Sequence, residues 1–235
     1  MMKTKEYYIN NLNVLYEDNH LIVVEKPINV LSQKDITNDF DMNEIIKAYL
    51  KIKYNKPGNV YLGLIHRLDR RVGGVMVFAK TSKAAQRLSN DIQNNDFHKL
   101  YIAKVKGKIE KNSSINIKIK KDENNYAIIA DDGKDARLDY IVLGYDEDNT
   151  YVLVNLHTGR YNQIRVSFNH INHPIINDYK YSKEEKNDLP IGLYCYAISI
   201  IHPITKEKMI FTLPPKGSIW KNVEEKLNDD LLKYI

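Results

Sequence analysis

The stretch "LDYIVLGYDEDNTYVLVNLH" (138–157) decides the fold class. Two runs rich in branched and aromatic residues, "LDYIVLGY" and "YVLVNLH", flank the polar turn "DEDNT", the signature of an antiparallel hairpin. Upstream, "YIAKVKGKI" (101–109) and "SINIKIKK" (114–121) alternate apolar and polar residues with period two, as half-buried strands do. Downstream, "LYCYAISIIHP" (193–203) and "KMIFTLP" (208–214) supply two more strand patterns. Nearer the N-terminus, "LIVVEKP" (21–27) reads as a buried strand stopped by Pro27, and "NVYLGLI" (59–65) and "VMVFA" (75–79) are also strand-like.

Helical patterns are fewer. "NEIIKAYLKIKY" (43–54) has apolar residues at 45, 46, 49, 50 and 52. "TSKAAQRLSNDIQN" (81–94) offers Thr81 as N-cap and sets Ala85, Leu88 and Ile92 on one side. In "SIWKNVEEKLNDDLLKYI" (218–235), Ile219, Val223, Leu227 and Leu231 recur every fourth residue, which predicts a C-terminal helix within 216–235. Residues 163–171 admit two readings, because Ile164, Val166 and Phe168 alternate like a strand while Ile164, Phe168 and Ile171 share a helical face. Strands outnumber helices and hairpins are frequent, so the expected class is α+β with a mainly antiparallel mixed sheet and flanking helices.

Composition narrows the function classes. The chain has 235 residues, 43% of them hydrophobic, which suits one domain with a sizeable core. No apolar run approaches the ~20 residues that span a bilayer. The opening "MMKTKEYYINN" lacks the apolar region of a signal peptide. The single cysteine, Cys195, excludes an internal disulfide framework and a multi-cysteine zinc site. These features point to the cytoplasm. The net charge of +5 is a modest excess suited to a polyanionic partner. Its distribution is more telling. Arg67, Arg70, Arg71, Lys80, Lys83 and Arg87 crowd together, with Lys99, Lys104, Lys106 and Lys108 soon after, whereas acidic residues gather at 122–123, 131–139 and 146–148.

Inside the basic cluster lies "HRLDRRVGG" (66–74), one carboxylate among three arginines and a histidine, between two strand-like runs. A buried charge must be paired or it costs several kcal/mol. Asp69 is therefore either half of a structural ion pair or a group kept ionised for chemistry.

The longer stretch "HRLDRRVGGVMVFAKT" (66–81) resembles the signature of the RluA family of pseudouridine synthases. Further blocks carry the same resemblance in the same order. They are "VLYEDNHLIVVEKPINVLSQ" (14–33) with its Lys-Pro turn, "HKLYIAKVKG" (98–107), "YVLVNLHTGRYNQIRVSFNHINHPIINDYKY" (151–181) and "LYCYAISIIHP" (193–203). Two places depart from the usual pattern. Val72-Gly73 stand where Thr-Ser is common, and Tyr161-Asn162 where Thr-His is common. The family often carries an N-terminal S4 RNA-binding domain. Here a short extension, 1–13, precedes the first strand, so the expectation is a single catalytic domain over 1–235 without it.

The resemblance implies two half-domains around a central cleft and a short helix over 163–171 that ends before Pro174, in keeping with the restriction proline imposes on its predecessor. It implies an isomerase acting on uridines in structured ribosomal or transfer RNA, which breaks C1′–N1, turns the base and rejoins it through C5. An enzyme doing chemistry on a base must first take it out of its stack. It then needs an ionised carboxylate for the electron-poor sugar or uracil carbon, and Asp69 stands at that position of the motif. Attack at C1′, attack at C6 and a glycal-type elimination all remain compatible with the sequence.

Arg165 is implied as the countercharge of Asp69, and an opposite charge within about 4–6 Å favours the ionised carboxylate. Tyr101, one of 17 tyrosines, matches the active-site tyrosine, where a ring can stack on the displaced base. Arg67 matches the arginine that enters the stack when uridine leaves, which a planar guanidinium can do and an ammonium cannot. His66, Arg70, Arg160 and Lys99 complete the expected RNA-binding set, His66 mainly by holding the loop. His170 and His173 are three apart but lack an accompanying carboxylate or cysteine cluster, so no metal site is expected. The expectation is a monomer needing no cofactor, with no membrane and no obligate protein partner. Two other readings stand beside it. A catalytically idle RNA-binding assembly factor is disfavoured because Asp69, Tyr101 and Arg165 are all present. Against an Asp-dependent enzyme on another nucleoside or sugar substrate, the basic cluster and the lack of a paired second carboxylate argue that this is no conventional glycosidase.

Overall fold

Period-two and helical patterns are realised as α1 (Lys5–Asn10), β1 (Val14–Glu17), β2 (Leu21–Lys26), α2 (Met42–Lys53), β3 (Gly63–Leu64), β4 (Gly73–Ala79), α3 (Ser82–Gln93), β5 (His98–Lys106), β6 (Ser113–Lys121), β7 (Ala127–Ile129), β8 (Lys134–Asp146), β9 (Asn149–Leu156), α4 (Gln163–His170), β10 (Leu193–Ile201) and β11 (Lys208–Thr212). The structure, a computed structural model, describes residues 3–182, 185–221 and 223–235. The chain divides into two compact units, Met1–Phe97 with Ala197–Leu213 and His98–Tyr196 with Pro214–Ile235. β10 contributes its first half to the second unit and its second half to the first.

In the first unit, β2 lies between β1 and β4, antiparallel to both, and β3 adds to β4. β4 is buried along its whole length, and Leu21–Val24 of β2 are completely so, as continuous apolar runs require. The run 59–65 is strand only at Gly63–Leu64, with exposed Tyr61 just before it. α2 begins where the Asp41 carboxylate accepts the Glu44 N–H at 2.8 Å and buries Met42, Ile45, Ile46 and Leu50. Ile52 points to solvent, off that face.

α3 starts at the predicted cap, with Thr81 accepting the Ala84 N–H, but its buried face is Ala84 and Leu88, not Ala85, Leu88 and Ile92. Ile92 is exposed, and the helix is turned so that Arg87 reaches the Pro203 carbonyl.

The second unit is an antiparallel sheet in which β5 pairs β9, β9 pairs β8, β8 pairs β6 and β6 pairs β7. The opening hairpin is β8–β9, with Asp146 opposite Asn149 across the turn. Among the described residues, the expected C-terminal helix is absent. Residues 218–235 form three short 3₁₀ turns, Ser218–Trp220, Glu224–Lys226 and Asp229–Tyr234. Leu227 and Asn228 take extended backbone between the turns. Carbonyls that a helix ladder would use are engaged elsewhere: the Tyr151 hydroxyl lies 3.2 Å from the Ile219 oxygen and 3.1 Å from that of Lys221, and Asn155 donates to the Tyr234 oxygen at 3.2 Å. Of the residues with fourfold spacing only Val223 is buried, while Ile219, Leu227 and Leu231 are partly exposed. Among the described residues, no helix is long and apolar enough to cross a membrane.

Candidate active site

Asp69 sits half-buried in the loop between β3 and β4, and main-chain groups hold that loop from several sides. The buried Ser32 hydroxyl donates to the Leu68 carbonyl at 2.7 Å and accepts the Leu68 N–H at 3.0 Å, clamping the residue just before Asp69. The Val72 N–H closes a turn onto the Asp69 carbonyl at 3.0 Å. The Arg70 carbonyl accepts from the Asn29 N–H at 2.8 Å and from the Lys26 ammonium at 3.1 Å. Lys26 also donates to the Pro27 carbonyl at 2.9 Å. Past the loop, Gly74 has φ +128°, a conformation that side-chain-bearing residues rarely adopt.

Lys26 is completely buried. Burial pushes its amine down to about 7; the Asp69 charge opposes that shift and the Arg70 charge adds to it. The lysine is held under the loop by two carbonyls, and the nearby Asp69 charge opposes the loss of its proton. The sequence showed only a Lys-Pro turn here.

His66 is buried, its Nε2 accepts the Val77 N–H at 3.1 Å, and its ring packs on Phe97 at 5.3 Å. It orients the loop's entry. Arg67 is exposed.

Tyr101 lies buried on β5 opposite Val154, and Lys99, two residues earlier, shares its face of the strand. Both approach Cys195. Burial pushes the Cys195 thiol up to about 12, against the opposing influence of the Lys99 charge and a hydrogen bond with Tyr101. Burial likewise lowers the Lys99 amine. That amine passes close to the Gly159 backbone, where an added Cβ would lie 3.6 Å from Nζ.

Arg165 projects from α4 and is gripped at both ends by Asp178, with Nε to Oδ2 at 2.8 Å and Nη2 to Oδ1 at 2.6 Å. Both partners are buried, and the guanidinium stacks on the Tyr181 ring at 5.2 Å. The helical reading of 163–170 is the one realised. Asn162, with φ 48°, turns the chain into the helix, and asparagine tolerates that conformation better than most residues. Gln163 accepts from the Thr158 hydroxyl at 2.8 Å and the Arg160 N–H at 3.0 Å, and donates to the Arg137 carbonyl at 3.1 Å, which ties the segment to β8. His173 bonds the Lys106 carbonyl through Nδ1 at 2.8 Å.

A family model described as RNA pseudouridylate synthase matches residues 20–170. The chain belongs to that family. It is an RNA pseudouridine synthase, an isomerase of the RluA type. The synthase is 32% identical over 226 residues to a ribosomal large subunit pseudouridine synthase C of Buchnera aphidicola, covering 90% of this chain and 70% of the relative. It is 31% identical to an uncharacterized RNA pseudouridine synthase of Aquifex aeolicus, covering 86% of this chain and 69% of that one. The fold is that of human RNA pseudouridylate synthase domain containing 4, with a TM-score of 0.75 at 18% identity over 90% of this chain and 92% of that one.

The structure redistributes the basic cluster of the synthase. Arg70 pairs with Asp39 at 2.6 Å, Lys80 with Glu17 at 2.7 Å and Lys104 with Asp146 at 2.5 Å, so these cations already have intramolecular partners. Arg160 is exposed, with Nε donating to the Asp135 carbonyl at 2.9 Å. The family departures have local explanations. Val72 is buried in the base of the loop, and Tyr161 is exposed at the entrance to α4. Sequence reasoning missed Ser32, Lys26 and Asp178. The last two were legible only as fixed letters of the Lys-Pro and His-Pro-Ile-x-x-Asp blocks.

Proposed function

We propose that the synthase modifies uridines of ribosomal RNA, in the cytoplasm, with Asp69 as the essential carboxylate. The names of its relatives among ribosomal large subunit synthases favour ribosomal over transfer RNA. In this reading Arg165 is the countercharge of Asp69. A guanidinium carries more donors than one carboxylate uses, so Asp178 can orient it without exhausting it. Tyr101 is the ring against the uracil, Arg67 the side chain that enters the RNA stack, and Lys99 and Arg160 contact the RNA backbone.

The observation that carries the proposal is the clamped Asp69 loop. Ser32, Asn29 and Lys26 together hold the main chain on both sides of the carboxylate. Pseudouridine mapping across total RNA from cells with and without this chain tests it. One or more ribosomal RNA sites should disappear with the chain. Sites lost only from transfer RNA would overturn the substrate assignment.

A further inference from the structure

A second set of aromatic and basic side chains gathers outside the residues assigned to the reaction. Tyr126, in the turn between β6 and β7, and Tyr161, at the entrance to α4, are each 42% exposed. Between them stands the Lys180 ammonium, 4.7 Å from the Tyr126 ring centre, 5.0 Å from that of Tyr161 and 5.6 Å from that of Tyr181. Its donors are directed to the Asn125 carbonyl at 2.8 Å, the Tyr161 hydroxyl at 3.2 Å and Asn162 Oδ1 at 3.3 Å.

Tyr181 backs the group. Its ring meets Tyr126 edge-on at 6.1 Å, its hydroxyl donates to Asn162 Oδ1 at 2.9 Å and accepts the Ala127 N–H at 2.9 Å, and its ring lies against the Arg165 guanidinium. A second ammonium, Lys121, lies 5.1 Å from the Tyr161 ring. The nearby Asp122 carboxylate accepts the Tyr126 N–H at 2.7 Å, a bond within the turn itself, while Glu123 is exposed at its tip.

We propose that Tyr126 and Tyr161, ordered by Lys180 and backed by Tyr181, form a stacking platform for unpaired bases of the RNA substrate. The inference rests on RNA being the substrate of the synthase, and extends it to a surface outside the reacting residues. Tyrosine rings give large contact area for little conformational entropy, and cations between them both hold the rings and attract phosphates. Unpaired bases are the fitting partner because a base inside a duplex has no open face to stack. Tyr161 is also a departure from the usual family sequence, so the platform is a property of this chain rather than of the shared catalytic set.

The test combines binding and kinetics. A labelled single-stranded oligouridine and a blunt RNA duplex are titrated into wild type, Tyr126→Ala, Tyr161→Ala, the double Ala variant and Tyr161→Phe. Each Ala change should weaken oligouridine binding by about tenfold, the range expected for loss of one stacked base. Tyr161→Phe should bind as wild type does, and duplex binding should be indifferent to all of them. With a modified RNA, the Ala variants should raise KM and keep kcat at saturation. A double Ala variant that binds oligouridine as tightly as wild type overturns the platform even while pseudouridine still forms. If wild type forms no pseudouridine yet the double variant loses oligouridine, the activity reading fails and the platform stands. Equal unfolding midpoints for Tyr161→Phe and Tyr161→Ala assign the binding loss to the missing ring rather than to misfolding.

Discussion

The Asp69 loop and the Arg165 helix are both fixed in place, but by opposite means. Around Asp69 the grip is on the main chain: Ser32 holds Leu68, while Asn29 and Lys26 hold the Arg70 carbonyl. Around Arg165 the grip is on the side chain itself, through two charge-assisted bonds to buried Asp178 and a ring beneath. Main-chain clamps fix the backbone that carries the carboxylate rather than the carboxylate itself. Side-chain clamps instead fix a charge at one spot, at the risk of an uncompensated ion if the partner is lost.

That contrast sets the order of mutational effects. Asp178→Ala removes the two charge-assisted bonds that hold a buried guanidinium and should lower stability by about 3–5 kcal/mol in urea denaturation. A loss below about 1 kcal/mol, typical of exposed pairs, would place Arg165 in water and break the comparison.

Lys26→Met removes a buried ammonium but keeps its volume, so the fold should survive while the Asp69 loop loosens. Its signature is in the pH dependence. The amine titrates near 10.5 when unfolded and near 7 when folded, so the unfolded state binds the extra proton between those values. Wild-type stability should therefore gain a few kcal/mol from this group as pH rises from about 7 to about 10.5, relative to Lys26→Met. Parallel stability curves for the two proteins would show that Lys26 is not a buried charge.

Ser32→Ala leaves the Leu68 N–H and carbonyl without their clamp and should cost about 1–3 kcal/mol, with a fall in kcat rather than in RNA affinity. An unchanged kcat would mean that the loop needs no clamp. Asp39→Ala releases Arg70 from a half-exposed ion pair and should shift stability by less than about 1 kcal/mol. A larger shift would promote this surface pair to a structural element.

The same contrast explains what the sequence could reveal. Periodic burial is local, so the β8–β9 hairpin, the start of α3 and the α+β class were legible from alternation and capping. The fourfold spacing of 219–231 misled because the partners that take the segment's carbonyls, the Tyr151 and Asn155 side chains, come from β9. The Asp69 loop and Arg165 were legible through family-specific blocks. Ser32 was not, and Lys26 and Asp178 were legible only as letters of those blocks, since the roles of all three arise from partners 13 to 44 residues away along the chain.

The central claim is that Asp69 performs the chemistry while the surrounding residues hold it in place. Its most direct test is pseudouridine formation by Asp69→Asn on an RNA that the wild-type synthase modifies, measured alongside binding of that RNA. The account predicts no pseudouridine above the level without enzyme and an RNA affinity equal to wild type. Pseudouridine accumulating at the wild-type rate would contradict it.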